Sequence, residues 1–328
     1  MRVAVLGAGR IGQIHGRNAA RQPGVQLIAV ADADPAAAEQ LAKATGARVR
    51  DVDGAIESPD VDAVIIATPT TTHANYVEQA ALAGKAIFCE KPVDLSSERI
   101  EACLAVVKAA RVPLMIGFNR RFDPNFAELQ RRLVAGAVGE TEIVTIISRD
   151  PSPPPAHYVA ASGGIFRDMM IHDLDIARFL LGDDKPVQIY ATGSVLIDQA
   201  IGEAGDADTA AVLIKTARGR ICQISNSRRA AYGYDQRIEI HGSKGMLRAG
   251  NVHKSTIDVA NSAGFQCDPV QDFFLQRYAE AYQIELATFV DCVKGGLSPS
   301  PSGEDGLAAQ RLADAATASW KSGKPVRL

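Results

Sequence analysis

The stretch RVAVLGAGRIGQIHGRNAA, residues 2–20, limits the possible folds more than any other part of the chain. A short apolar run, Val3 to Leu6, stops at Gly7, and beyond it the apolar spacing becomes helical. Between the two lies Gly7-Ala8-Gly9-Arg10-Ile11-Gly12, a GxGxxG spacing in the strand-to-helix context that gives it meaning. The first glycine permits a tight turn, the second lets backbone approach a pyrophosphate, and the third lets helix and strand pack closely; the helix N-terminus favours the phosphate charge. The next apolar run, QLIAVAD, ends at Asp32, where a carboxylate can accept hydrogen bonds from ribose hydroxyls. A Gly-rich turn alone would be weak evidence, but strand, helix and acid together read as a dinucleotide cradle. A 2'-phosphate would meet Asp32 with like charge, and VADADP offers no Arg to pair with it, so NAD is expected over NADP. The competing reading of Asp32 is a helix N-cap, a role for which Asp34, just before Pro35, is better placed.

The alternation then continues. Helical patterns at about 35–45, HANYVEQAALAG and SSERIEACLAVVKAA alternate with the apolar runs VDAVIIAT, AIFCE and PLMIGF. Such alternation predicts parallel strands with right-handed crossovers, a doubly wound sheet. Ligands of these sheets bind at the carboxyl ends of strands, which singles out ATPTTTH (67–73) and CEKP (89–92). Thr68 and Pro69 are placed against the cofactor and Lys91 at the mouth of the same crevice, while His73 reads most simply as a residue of its helix's first turn.

After GFNRR the pattern changes. A helix over about 123–135 leads to the strand TEIVTIIS and the loop RDPSPPPAHYVAASGG, which its prolines are expected to hold extended. The runs VQIYATGSVLI, TAAVLIKTA, RICQISNSR, QRIEIHG and KGMLRAG, joined in part by short turns, predict a largely antiparallel sheet. Helical patterns over about 272–294 and 303–321 close the chain. The fold class expected is therefore α/β, a Rossmann domain over 1–119 followed by a second α/β domain over 120–328 with a large open sheet.

Between loop and sheet lies GGIFRDMMIHDLD, expected as one helix on which Asp168, His172 and Asp175 share a face through spacings of four and three. A wet helix face is the plain explanation; an acid-base site is the other. A metal site from the same residues ranks low, because clustering on a helix does not supply coordination geometry.

Composition excludes several classes. A formal charge of -3 in 328 residues, without a Lys/Arg block, gives no field for nucleic acid. Five dispersed cysteines without CxxC spacing suggest neither a disulfide framework nor a zinc site, and fit a reducing cytoplasm. The first apolar run is too short for a signal peptide and no run reaches membrane-spanning length, so no membrane partner is expected. No Tyr is followed four residues later by Lys, so the proton relay of short-chain dehydrogenases has no candidate.

CEKP and GGIFRDMMIHDLD together resemble the Gfo/Idh/MocA oxidoreductase family over essentially the whole chain, and GFNRRFDPNF with SRDPSPPP resembles its bacterial inositol-oxidising members. The resemblance implies NAD-dependent oxidation of myo-inositol to the 2-keto compound, scyllo-inosose, with Lys91, Asp168 and His172 as the catalytic set. It implies cofactor contacts from Gly7, Gly9, Arg10, Ile11, Gly12, Asp32, Thr68, Pro69, His73, Glu90 and Lys91. Substrate contacts are implied for Lys91, Asn119, Arg120, Asp150, Asp168, His172 and Tyr234, with Tyr232 in the same segment; Asn119 stands where some relatives have Met. Asp175 is read as a supporting or structural carboxylate, and a surface ion pair competes as the explanation of Arg120. A homotetramer built from sheet-to-sheet pairs is also implied. The alternatives are a dehydrogenase of another cyclic polyol or an aldose, and a non-catalytic dinucleotide sensor, which would have no need to keep the proton-transfer set.

Overall fold

The computed structural model describes residues 1–328, apart from the side chains at 156, 157 and 160. Contiguous apolar runs near the start become the strands β1 (Arg2–Leu6), β2 (Gln26–Ala31), β3 (Arg48–Val49), β4 (Ala63–Ile66), β5 (Ala86–Glu90) and β6 (Leu114–Gly117). They hydrogen-bond in the order β3-β2-β1-β4-β5-β6, and each pair is parallel. The order reverses at β1, and the carboxyl ends of β1 and β4 are therefore where a doubly wound sheet takes a ligand. Pairing of β4 and β5 is continuous from Ala63–Ala86 to Ile66–Cys89, which brings the segments after both strands to the same end of the sheet. Strand β3 and the helix Val52–Ile56 were not expected; at 2 and 5 residues they are too short to carry a readable period.

Two compact units divide the chain, Met1–Phe122 with Ala281–Gln310, and Asp123–Glu280 with Arg311–Leu328. The expected division at 119/120 assigned 281–310 to the second domain. Its side chains instead complete the first core, where Leu286, Phe289 and Val290 pack with Val3, Val5, Ile65 and Phe88. The apolar stripe of a helix is buried by whichever partner it reaches, and sequence order does not name that partner.

In the second unit, β7 (Thr141–Arg149), β8 (Pro186–Ser194), β9 (Thr209–Thr216), β10 (Ile221–Ser227), β11 (Asp235–Gly242) and β12 (Gly245–Ala249) form a sheet. A separate hairpin joins β13 (Asp258–Asn261) to β14 (Gly264–Cys267), and β15 (Val326–Arg327) completes the sheet order β12-β11-β7-β10-β9-β8-β15. Only β7 and β10 pair in parallel among these neighbours, so the expected, mostly antiparallel open sheet is present. Burial alternates along β9 and β10, the signature of a sheet with one face in a core.

Two expected segments differ. The proline loop holds a helix, Ala156–Ser162, because the prolines end at 155 and a proline is tolerated ahead of a first helical turn. GGIFRDMMIHDLD is two helices, Gly164–Asp168 and Ile171–Leu181. The NH of Met170 donates to Ile165 O at 2.8 Å, a bond spanning five residues, which breaks the regular helical register between Asp168 and His172. The shared face of Asp168, His172 and Asp175 on a single helix is thus corrected. The expected 272–294 helix is likewise interrupted at Tyr278, between Phe274–Arg277 and Ala279–Gly295.

Candidate active site

The glycine turn has the geometry a dinucleotide needs. Gly7 has φ +94°, a value L side chains rarely adopt, and a Cβ there would lie 2.4 Å from Ala67 O. A Cβ on Gly12 would lie 1.9 Å from Gly7 O, so the helix Arg10–Arg21 packs directly on the turn. Gly9 differs, because a Cβ there would meet no atom within 4 Å. Its backbone therefore borders open space at the head of that helix, where no side chain caps the first turn. A cradle that only a ligand would fill, at the positive end of a helix, fits a pyrophosphate.

Asp32 is fixed beside the turn. One carboxylate oxygen accepts from Ala8 N and the other from Asp34 N at 2.7 Å, while Asp34 takes the capping role, its Oδ1 accepting from Ala36 N at 3.0 Å. Each carboxylate oxygen has two acceptor sites, so a held Asp32 still has capacity for ribose hydroxyls.

The segments after β4 and β5 are linked by a buried histidine. His73 is 2% exposed, and its Nε2 and Nδ1 lie 2.7 and 2.8 Å from the carbonyl oxygens of Thr68 and Pro92. Burial pushes its pKa below the ordinary value, outweighing the opposing pull of the two carbonyls and of Glu90. Both ring nitrogens face carbonyl oxygens, a neutral ring donating to one of them, so His73 sits between the segments that carry Thr68 and Lys91. Thr68 Oγ1 also bonds Thr72 Oγ1 at 2.7 Å.

Glu90, the last residue of β5, meets a residue that sequence reasoning missed. His15 Nε2 lies 2.6 Å from Glu90 Oε1, with the imidazole fully buried and edge-on to Phe88 and Tyr282. Its position three residues after Gly12 puts it on the buried side of the helix, the signal that would have found it. The pair connects the glycine-turn helix to the residue preceding Lys91. Lys91 itself is half-buried in this unit, beside a cis Lys91-Pro92 bond. Asn119 and Arg120 are both buried in a 3₁₀ turn, Asn119–Phe122, at the end of the same unit.

Asp168 and His172 belong to the second unit. Asp168 accepts from Tyr158 OH at 3.0 Å on one oxygen and from Arg228 Nη2 at 3.4 Å on the other. Tyr158 was missed because its segment reads as a proline loop. His172 lies in the first turn of the next helix, and its neighbour Asp173 anchors that helix to the sheet: Asp173 is fully buried and accepts from Ser148 Oγ of β7 at 2.5 Å and Asn226 Nδ2 of β10 at 2.9 Å. Asp175 is also fully buried and does not face solvent. Asp150 follows β7, its NH donating to Ser227 O at 2.9 Å. Tyr234 is 5% exposed and packs edge-on to Phe273 and Tyr278, whereas Tyr232 is 53% exposed with its hydroxyl on Asp235 at 2.6 Å. Among the described residues no three His, Cys, Asp or Glu form a metal-holding group, and no helix is long and apolar enough to cross a membrane.

Comparison with known proteins agrees in both halves. Residues 1–118 match an oxidoreductase family with an NAD-binding Rossmann fold, and residues 126–248 match the GFO/IDH/MocA C-terminal domain. An inositol 2-dehydrogenase from Rhizobium meliloti is 54% identical over 319 residues, covering 97% of this chain and 96% of the relative. Among solved structures, a myo-inositol dehydrogenase from Corynebacterium glutamicum superposes with TM-score 0.96 at 43% identity, covering 100% and 98% of the two chains. A scyllo-inositol dehydrogenase from Lactobacillus casei, with bound NAD(H) and scyllo-inositol, gives TM-score 0.93 at 30% identity over 100% and 98%. With a glycine cradle in one unit and a matched C-terminal domain in the other, the chain belongs to the Gfo/Idh/MocA oxidoreductases, and its first unit is their NAD-binding Rossmann fold.

Proposed function

We propose that the chain is an NAD-dependent inositol 2-dehydrogenase that oxidises myo-inositol at a secondary hydroxyl to scyllo-inosose. The observation that carries this reading is 54% identity to an inositol 2-dehydrogenase across 97% of the chain. The presence of Lys91, Asp168 and His172 together supports an enzyme over a sensor. NAD, when bound at the glycine cradle, supplies the hydride acceptor. The neutral imidazole of His172 takes the hydroxyl proton as the carbinol hydride leaves, work to which imidazole is suited near pH 7. Asp168 stabilises the imidazole as it becomes charged, and Lys91 Nζ donates to the reacting oxygen as alkoxide character develops. Asn119, Arg120, Asp150 and Tyr234 bind the remaining hydroxyls, and Asp32 holds the ribose.

His172→Ala is expected to lower turnover by about 10²–10⁴-fold while NAD still binds, because the cradle lies in the other unit. Parental turnover of myo-inositol by that variant would remove His172 from the mechanism. The second reading, scyllo-inositol as substrate, is favoured by the bound polyol of the Lactobacillus casei neighbour. NADH formation compared across myo-inositol, scyllo-inositol and glucose decides between them.

The second unit also supports assembly. Tyr190, Leu213, Ile221 and Ile143 are 37–50% exposed on adjacent strands β8, β9, β10 and β7, an apolar face that a second copy of the chain would cover in a homotetramer. Light scattering that returned only the 34.8 kDa monomer would refute the assembly.

A further inference from the structure

Arg228 follows β10 directly, and its backbone NH donates to Asp208 O at 2.8 Å, which fixes where its side chain begins. The side chain is 2% exposed, and a guanidinium cannot shed its proton to escape burial. Such a cation is costly unless anions face it. One does directly. Nη2 donates to Asp168 Oδ2 at 3.4 Å. A second buried carboxylate, Asp206, 8% exposed, braces the same segment: both its oxygens accept from Ile165 N at 3.0 Å, in the first turn of the five-residue helix that ends at Asp168. Burial pushes the Asp206 carboxyl up, the backbone donors Ile165 and Ala207 and the Arg228 charge draw it down, and the Asp168 charge pushes it up again. The three charges therefore act on one another, with Asp206 holding one end of a short helix and Arg228 the other.

We propose that Arg228 is a positioning residue for the reaction: its buried guanidinium fixes the Asp168 carboxylate and balances its charge against Asp206, so that Asp168 can support His172 as the proton arrives. This rests on the role assigned above to Asp168. Without the guanidinium, Asp168 loses the charged donor at its Oδ2 and Asp206 loses the charge that draws its carboxyl down, and repulsion between the two favours protonating one or displacing Asp168. Either outcome withdraws an interaction made as charge develops on His172, which lowers kcat and kcat/KM together and leaves KM nearly unchanged.

The test uses the full chain with NAD and myo-inositol, with melting temperature recorded for each variant. Arg228→Met is expected to lower kcat about 100-fold with little change in KM. Arg228→Lys, which keeps a cation, is expected to lose less than about ten-fold. Adding Asp206→Asn to Arg228→Met removes the unbalanced charge and is expected to restore at least about ten-fold of the loss. If Arg228→Met does not fold, Arg228→Gln, which keeps a donor without the charge, replaces it with the same expectations. A packing role alone predicts equal damage from Met and Lys and no recovery in the double variant, and that result overturns the proposal. Parental kcat in Arg228→Met, with turnover lost in Asp168→Asn, also overturns it while leaving the Asp168 role intact. Parental kcat in Asp168→Asn would instead remove the role on which it rests.

Discussion

The two units hold their candidate functional residues in different ways. In the first, the cradle is backbone: Gly7 at positive φ, the uncapped helix start at Gly9, and strand ends brought level by parallel pairing. In the second, the corresponding features are side chains held across the fold. Asp168 is held by Arg228, 60 residues away, and Asp173 by Asn226, 53 residues away. Backbone cradles follow from local sequence, because a turn and a helix start are determined by their own residues. Held side chains follow from sheet register, which only the finished fold supplies. The first kind of site should therefore fail through geometry and the second through lost partners.

The sharpest form of that contrast is a pair of alanines. Gly12→Ala places a Cβ 1.9 Å from Gly7 O, backbone that has no flexible end to move, and is expected to abolish NAD binding and to lower the melting temperature strongly. Gly9→Ala meets nothing within 4 Å, so the fold should melt as the parent does while NAD affinity falls, the added methyl standing where pyrophosphate approaches. Equal melting temperatures for the two variants would break the claim that one glycine serves packing and the other the ligand.

In the second unit the matching experiment is Asp173→Ala. The substitution strands Ser148 and Asn226 in the core, a cost of about 3 kcal/mol, and loosens the helix that carries His172, so both stability and turnover should fall. Denaturant unfolding with the parental midpoint would deny Asp173 its anchoring role. This residue also marks what was legible. Every strand of the first sheet except β3, and most of the second sheet, were readable from apolar runs, as were the cradle residues, since each signal lies within about twenty residues of chain. Asp173 was passed over beside His172, Tyr158 was hidden by prolines, and the helix break after Asp168 lies in a bond to Met170 that no periodicity announces. The packing of 281–310 on the first core escaped for the same reason, since an amphipathic helix does not state its partner.

Coenzyme choice tests whether the first unit's cradle has a side-chain component of its own. Asp32 is held by Ala8 N and Asp34 N, so its charge is fixed where a 2'-phosphate would arrive. The variant Asp32→Ala with Ala33→Arg exchanges repulsion for an ion pair and is expected to shift the ratio of kcat/KM values toward NADP by about 10–100-fold. A parent that already used both coenzymes equally well would show that the Asp32 charge sets no preference.

The smallest expected effect concerns His73, a titrating side chain among the backbone elements of the first unit. Its two nitrogens face the carbonyl oxygens of Thr68 and Pro92, an arrangement that favours imidazolium, while burial favours the neutral ring. Burial is the larger influence, so the folded pKa lies below the ordinary 6.5. The unfolded chain then binds a proton that the folded protein refuses. Stability from this group is complete above that ordinary value and is lost as pH falls through the interval down to the folded pKa. His73→Gln keeps a polar side chain between the two loops but cannot titrate, so its melting temperature should decline less steeply than the parent's as pH is lowered from about 7 to about 5. A steeper decline in the variant would mean that the two carbonyls prevail over burial and that imidazolium is the folded form. The tie between the Thr68 and Lys91 loops would then be a charged one, and the cradle would depend on a side chain as closely as Asp168 depends on Arg228.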